Sequence, residues 1–163
     1  MHSLELVCDA DTEAALREGW AALRAAGIGA PPPAARPHVT LVVAPQIHAR
    51  VDTALEPLGA PLDAVIGAPM LFGRAPFTLV RAIVPSAALL ALHTAVYRRA
   101  APYLVPAPLP LCAPGQWTPH VTLARRVAAA QLGRAVAGAR RDGPARFVGL
   151  RRWDGDRRVE HPL

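Results

Sequence analysis

The sequence predicts a mixed fold of helices and strands that is built twice within one domain. The order strand, helix, loop, strand, helix occurs in both halves of the 163-residue chain, and the word Pro-His-Val-Thr-Leu opens a strand in each half, at 37–41 and 119–123. A chain of this length can bury a hydrophobic core without several independent domains. We therefore expect residues 1–163 to form a single domain of two pseudo-symmetric lobes.

The first half begins with a strand at 3–8, followed over 11–26 by helical spacing of apolar residues that ends at Gly27. The proline-rich residues 29–37 predict a loop, and 37–43 predict the strand that carries the repeated word. A short helix is expected around residues 47–58.

Two strands, at 62–72 and 77–84, lead into the second half, and their β-branched residues suit a half-buried sheet. Ser86 is placed to cap a helix over 87–101. The strand-helix order is thereby repeated.

Five prolines in residues 102–118 predict a long ordered loop rather than a regular element. The second repeated word then opens a strand, and an alanine-rich helix is expected over 128–140. The C-terminal residues predict a hairpin that turns at Asp154-Gly155.

Charge points to phosphate-bearing partners. All of the 18 basic residues are arginine, the formal net charge is +6 and the pI is about 10.9. A positive surface concentrates polyanions and speeds their association. For any single arginine, a solvated surface position is the alternative.

The cysteines and the N-terminus predict a soluble, unprocessed protein of a reducing, cytoplasmic compartment. Cys8 and Cys112 have neither C-x-x-C spacing nor the density of a disulfide scaffold, and Cys8 alternates with leucines as a core residue does. Acidic residues interrupt any signal sequence, and no apolar run reaches membrane-spanning length.

The repeated Pro-His-Val-Thr-Leu word contains the candidate catalytic residues. On a strand, side chains at i and i+2 share a face, so His38 pairs with Thr40 and His120 pairs with Thr122. Two imidazoles beside one phosphodiester can transfer protons near neutral pH, one accepting and one donating. The threonine hydroxyls can bind phosphate oxygens as negative charge develops. The spacing does not distinguish the acid from the base.

Neither a metal nor a cofactor is expected. The chain has no H-E-x-x-H pattern, no His/Cys cluster, no phosphate-binding Gly-Lys-Ser/Thr loop and no lysine that ATP could adenylate. We interpret the other four histidines, His2, His48, His93 and His161, as structural or solvated.

The two His-x-Thr-Leu motifs resemble the paired signature of the 2H phosphoesterases, which include RNA 2′,3′-cyclic phosphodiesterases and 2′-5′ RNA ligases. This resemblance implies a bilobal α+β fold of two antiparallel sheets, with helices packed outside and a central groove. It also implies that the family's catalytic site corresponds here to His38, Thr40, His120 and Thr122. A family arginine five positions after the second histidine matches Arg125, which strict alternation would send to the opposite face unless a bulge turns it back.

Two aromatic residues are candidates for stacking on a base, Trp117 before the second motif and Phe77 at the start of a strand. Core packing is the alternative for both, and for Phe77 it is favoured.

The resulting hypothesis is a metal-independent phosphodiesterase that hydrolyses 2′,3′-cyclic or related 2′-linked RNA-type phosphodiesters. Ligation is the same chemistry reversed, so the direction stays open. The expected partners are RNA ends or nucleotides with such phosphates, and the expected oligomeric state is a monomer. A non-catalytic RNA- or nucleotide-binding module is the rival interpretation.

Overall fold

The structure is a computed structural model that describes residues 1–58, 61–139 and 142–163. The strands within these ranges are β1 His2–Cys8, β2 His38–Ala44, β3 Gln46–Ile47, β4 Leu62–Phe72, β5 Phe77–Ile83, β6 Leu104–Val105, β7 His120–Val127, β8 Gly143–Asp154 and β9 Val159–Pro162. The α-helices are α1 Ala10–Ala25, α2 Val51–Leu55, α3 Ala87–Ala100 and α4 Leu132–Ala137. Short 3₁₀ turns lie at Glu56–Leu58, Ala101–Tyr103, Pro110–Cys112 and Ala129–Gln131.

The strands form one large and one small antiparallel sheet. The large sheet has the order β2-β1-β8-β4-β5-β7, with β9 added along β8, and β3 pairs with β6 in the small one. The long strand β8 pairs with β4 through its first half and with β1 and β9 through its second half, so both halves of the chain share the large sheet. The expected α+β class with antiparallel sheets is confirmed.

The two histidine-bearing strands meet although they lie at opposite ends of this strand order. β2 contacts β7 directly. Helix α1, from the first half, packs against β7 as well as β1, and α3, from the second half, packs against β2 as well as β4. This exchange of helices between the halves places β2 and β7 side by side.

Local capping explains where the two long helices begin and end. The Asp9 side chain accepts a hydrogen bond from the backbone N–H of Thr12 at 2.9 Å, and Gly27, with φ +73°, follows the end of α1. The Ser86 hydroxyl accepts from the N–H of Leu89 at 3.2 Å, which confirms the cap predicted for α3.

Two segments have a different secondary structure from the one predicted, because distant parts of the chain pair with each other. The short helix around 47–58 is confined to α2 and the turn after it, while Gln46 and Ile47 form β3 opposite Val105 and Leu104 of β6. The segment 102–118 therefore contains a strand. Pairing across more than fifty residues leaves no signal in local propensity, because strand formation depends on the partner.

The helix expected over 128–140 is also shorter than predicted. Only Leu132–Ala137 is α-helical, preceded by the 3₁₀ turn, and Gly138 caps it through a hydrogen bond from its N–H to the Arg134 carbonyl at 3.0 Å. Glycine destabilises the interior of a helix but is favoured at the position where a helix ends. Residue 140 lies outside the described residues.

The C-terminal hairpin is confirmed, but its turn is wider than the predicted Asp154-Gly155 pair. β8 ends at Asp154 and β9 begins at Val159. Asp154 Oδ1 accepts hydrogen bonds from the N–H groups of Asp156 and Arg157, both at 3.0 Å, and Arg158 adopts φ +58°. A short side chain that binds the following backbone stabilises such a wider turn.

Both cysteines lie in the interior. Cys8 is 3% exposed, and burial raises its pKa to about 12. Burial also raises the pKa of Cys112. Thiols held protonated in this way are poor nucleophiles at neutral pH, which supports a packing role for Cys8.

Within the described ranges, no helix is both long enough and apolar enough to cross a membrane.

Candidate active site

Strands β2 and β7 each present the repeated word with the predicted alternation. Val39 and Leu41 of β2 are fully buried, and Val121 and Leu123 of β7 are each 1% exposed. The histidine and threonine of each word are only partly buried. Each strand therefore buries its apolar side chains in the core and turns its imidazole and hydroxyl to the other face.

The two imidazoles are held in the same way. His38 Nδ1 lies 2.8 Å from the Arg36 carbonyl oxygen, and His120 Nδ1 lies 2.7 Å from the Thr118 carbonyl oxygen. A carbonyl only accepts, so Nδ1 carries the proton and donates it in both rings. A proline between donor and acceptor favours an extended backbone at Arg36 and Thr118, which helps to aim each carbonyl. Nε2 of each histidine takes no part in this bond and can serve in proton transfer.

Side chains from both strands line a common groove. His38 and Thr122 line one cavity of about 180 Å³. His38, Thr40 and Arg125 line an adjoining cavity of about 740 Å³. His120 begins the same strand and lies on the same face as Thr122. The structure thus places His38, Thr40 and Thr122 along one groove, with His120 on the strand that carries Thr122.

His120 has the more apolar surroundings of the two histidines. Burial lowers the pKa of His120, the nearby charges of His38 and Arg125 lower it further, and the hydrogen bond to Thr118 opposes them. The Phe72 ring packs edge-on against the imidazole, with ring centres 4.8 Å apart and an angle of 88° between the planes. Sequence reasoning missed Phe72. This residue is far from His120 in the chain, and their strands, β4 and β7, do not pair with each other.

Arg125 lies in the groove because β7 departs from regular pairing. Thr122 lies opposite Val80, but Ala124 lies opposite the next residue, Leu79, so one residue is inserted and the alternation reverses. Arg125 is exposed on the groove side. Its N–H donates to the Gly29 carbonyl at 2.8 Å, and a Cβ on Gly29 would lie 2.7 Å from the Arg125 carbonyl oxygen. Glycine is thus needed where this loop approaches the bulge.

The two aromatic candidates make packing contacts. Phe77 and Trp117 both pack against the hydrophobic core. One face of Trp117 stacks on His93, with ring centres 4.0 Å apart and planes within 5°. His93 itself is 1% exposed, in line with a structural role. None of the described contacts supports base stacking by Phe77 or Trp117.

Tryptophan indoles donate hydrogen bonds to the backbone of both motif strands. Trp20 Nε1 of α1 donates to the Thr122 carbonyl at 3.0 Å, and Trp117 Nε1 donates to the Thr40 carbonyl at 2.9 Å. The sequence indicated Trp20 only as an apolar helix residue. These matching bonds position the two threonines relative to the rest of the fold.

Replacing Trp20 or Trp117 with Phe is expected to lower the free energy of unfolding by about 1 kcal/mol beyond the loss of ring size, because each change leaves a carbonyl without its donor. Denaturant unfolding measures the effect. Trp153→Phe is the matched control, since its indole makes no hydrogen bond within the described ranges. Equal losses in all three variants would contradict the role of these bonds.

A buried ion pair that the sequence analysis did not identify lies beside His38. Glu5 of β1 is 3% exposed and Arg151 of β8 is 4% exposed. Nε and Nη2 of Arg151 both lie 2.7 Å from Glu5 Oε2. Glu5 Oε1 lies 3.4 Å from His38 Nε2. An acidic residue between two leucines of a buried strand was the available signal.

A second cluster of polar groups lies at the start of β1. Ligand atoms of His2, Asp154 and Asp156 lie within 4.8 Å of one another. His2 Nε2 lies 3.1 Å from Asp156 Oδ2, and Arg152 and Arg157 line the same cavity. The hydrogen bond between His2 and Asp156 accounts for this arrangement, and the two guanidinium groups disfavour a cation. The metal independence of the reaction stays a prediction.

Comparison with known structures supports the same architecture. TT0787 of Thermus thermophilus is 20% identical, with a TM-score of 0.60 over 99% of this chain and 94% of that chain. E. coli LigT in its apo form is 16% identical, with a TM-score of 0.59 over 99% and 93%. Kluyveromyces marxianus Usb1 with uridine monophosphate is 14% identical, with a TM-score of 0.52 over 99% and 97%.

A sequence search finds no match among curated proteins. A family model does match, described as the 2′-5′ RNA ligase superfamily, and it covers residues 11–152, which include both histidine motifs. The chain belongs to the 2′-5′ RNA ligase superfamily, a 2H phosphoesterase family.

Proposed function

We propose that this protein is a metal-independent phosphodiesterase that hydrolyses 2′,3′-cyclic or related 2′-linked RNA-type phosphodiesters. The family supports an activity of the phosphoesterase or RNA ligase type. The observation that carries the finer proposal is the matched orientation of His38 and His120. Each Nδ1–H is bound to a backbone carbonyl, which leaves both Nε2 atoms for proton transfer at one phosphate.

The surroundings of the two rings favour a division of roles. His120, whose pKa burial lowers, is neutral and serves as the base, taking a proton from water as the water oxygen bonds to phosphorus. His38 Nε2, 3.4 Å from the Glu5 carboxylate, serves as the acid. It gives its proton to the ribose oxygen as the bond from phosphorus to that oxygen breaks.

Three further side chains stabilise the charge that develops on phosphate. The Thr40 and Thr122 hydroxyls donate to non-bridging oxygens, and the Arg125 guanidinium adds positive charge at the groove. No metal is required for this electrostatic stabilisation.

RNA ends and nucleotides are the proposed partners. E. coli LigT has been solved with 3′-AMP and Kluyveromyces marxianus Usb1 with uridine monophosphate, which supports nucleotide binding by this fold. We propose that Phe72 contacts the base, since its ring lies beside His120. The single domain of two related halves, the monomeric state and the cytoplasmic location stay predictions, the first supported by the matching bonds from the Nδ1 atoms of His38 and His120 to the carbonyls two residues earlier.

The pH dependence follows from the His120 environment. The neutral form of His120 is the base, so kcat/KM rises as this ring loses its proton. Burial lowers the pKa of His120, so the rise is expected below the ordinary histidine value of about 6.5. A pH series of kcat/KM measures it, and a bell-shaped profile is expected because the acid must stay protonated. An acidic limb well above the ordinary value would contradict this role of His120.

A substrate screen tests the proposed reaction. Nucleoside 2′,3′-cyclic phosphates, 2′-5′ dinucleotides and RNA with a cyclic phosphate end are incubated with the protein and a chelator. Hydrolysis that survives the chelator supports the proposal, and activity restored only by added metal would refute it. RNA binding without any product from wild type, and equally tight after both histidines are replaced, would favour the rival binding module.

A further inference from the structure

The two histidines of the groove differ in the charges that touch them. His120 contacts the Phe72 ring and a backbone carbonyl. His38 is approached from two sides, with Glu5 Oε1 3.4 Å from Nε2 and Arg151 Nη2 3.1 Å from Nδ1. Nδ1 already donates to the Arg36 carbonyl, so the approach of Arg151 is a contact between two proton-bearing groups. The Glu5 carboxylate attracts a positively charged His38 ring, and the Arg151 guanidinium repels it.

The Glu5–Arg151 pair is fixed by the sheet. Glu5 lies opposite Thr40 in the pairing of β1 with β2 and opposite Arg151 in the pairing of β1 with β8. The Ser3 hydroxyl donates to Glu5 Oε1 at 2.5 Å. Arg151 Nη1 lies 2.6 Å from Glu160 Oε1, an ion contact without hydrogen-bond geometry. Three adjacent strands thus align Thr40, Glu5 and Arg151 in one row.

An ion pair as buried as this one is weak evidence for a role in stability. Removing two charges from water costs free energy that their attraction only partly recovers, and apolar residues of similar size often stabilise a fold as well. The pair touches both ring nitrogens of a motif histidine. A role at that ring therefore explains its presence better than a role in packing.

We propose that Glu5 and Arg151 are positioning residues for His38, a buried pair whose opposite charges are balanced at the two ring nitrogens so that the ring can both hold and release a proton. The consequence for catalysis rests on the proposed function above. Without Arg151, the Glu5 carboxylate would hold a proton on Nε2. Without Glu5, the guanidinium would disfavour the charged ring.

Other charges face His38 and must be held constant in any test. Arg36 precedes it in the chain, Arg125 and His120 face it from β7, Glu160 of β9 contacts both Arg151 and Arg36, and His2 and Arg158 line the same cavity. Single replacements of Glu5 and Arg151 leave all of these groups in place. The comparison between these two variants therefore isolates the pair.

The test is an NMR titration of the His38 ring in the free protein, assigned by its absence in His38→Asn. In Glu5→Gln the ring is expected to lose its second proton about one pH unit below wild type, and in Arg151→Gln about one unit above. The double variant, which leaves neither charge of the pair unmatched, is expected to titrate close to wild type. Opposite shifts that cancel in this way would not arise from a loss of packing.

Asp52→Asn is the matched control. It breaks the neighbouring Arg152–Asp52 pair, which has bonds of 2.7 and 2.8 Å and involves the next residue of β8, on the opposite face. The control is expected to leave the His38 titration unchanged. Shifts in the same direction in both single variants, or no shift in variants with a native-like spectrum, would overturn the proposal.

The titration needs no substrate, so it separates this inference from the proposed function. If wild type hydrolyses none of the phosphodiesters in the screen, the proposed function fails, while opposite shifts would still support the positioning role. In an active enzyme, Glu5→Gln is also expected to move the alkaline limb of kcat/KM to lower pH, because the acid loses its proton earlier. An unmoved limb would overturn the role in catalysis.

Discussion

Replacing His38 or His120 with alanine is expected to lower kcat/KM for a nucleoside 2′,3′-cyclic phosphate by about 10³-fold, within the range for loss of one proton-transfer group. Each ring supplies a step that the other cannot, because one must be neutral and the other charged. The double variant is expected to lose little more than either single one, since groups that act as a unit are not additive. Initial rates over a range of substrate concentrations measure these effects.

His48→Ala is the control for this prediction. His48 is an exposed histidine that lines a different cavity, beside Arg152, and does not line the groove of Thr40 and Thr122. Its replacement is expected to leave kcat/KM within about twofold of wild type, because surface changes away from special features have small effects on the fold. Robust hydrolysis by His38→Ala or His120→Ala would refute the acid and base assignment.

Replacing Thr40 or Thr122 with valine is expected to lower kcat by about 10²-fold, the cost of removing one donor that binds the developing charge. Valine keeps the branched shape and suits a strand, so the fold should be retained. The loss is expected in kcat more than in KM, because the hydroxyl bonds strengthen as negative charge builds up at phosphorus.

Thr94→Val is the control for the threonine variants. The Thr94 hydroxyl of α3 donates to the Leu90 carbonyl at 2.9 Å, and Thr94 lines neither cavity of the groove. Unchanged kinetics are expected. If Thr40→Val and Thr122→Val raised KM alone and left kcat unchanged, the threonines would bind ground-state substrate rather than stabilise the transition state.

Features that depend on local sequence were predictable. The repeated Pro-His-Val-Thr-Leu word located both motif strands, and its period of two predicted that His38 and Thr40 share one face. Ser86 and Gly27 marked helix ends because capping involves only the nearest residues. The family resemblance, carried by the same ten residues, supplied the antiparallel α+β class.

Features that depend on distant residues were not predictable in the same way. The insertion in β7 that brings Arg125 to the groove appears only in its pairing with β5. The Glu5–Arg151 pair joins opposite ends of the chain, because β1 and β8 are neighbours in the sheet. Arginine is so common in this sequence that Arg151 carried no signal by itself. Such groups become visible only when the strand order is known.

In the proposed reaction, His38 and His120 act on a single phosphate. The most direct test is a crystal structure of the wild-type protein with a nucleoside 2′-monophosphate, one of the two products that opening a 2′,3′-cyclic phosphate can give. We predict one phosphate group with oxygens about 2.6–3.2 Å from Nε2 of both rings, the distance that proton transfer requires. A phosphate bound to only one of the rings, or outside the groove of Thr40 and Thr122, would contradict the account.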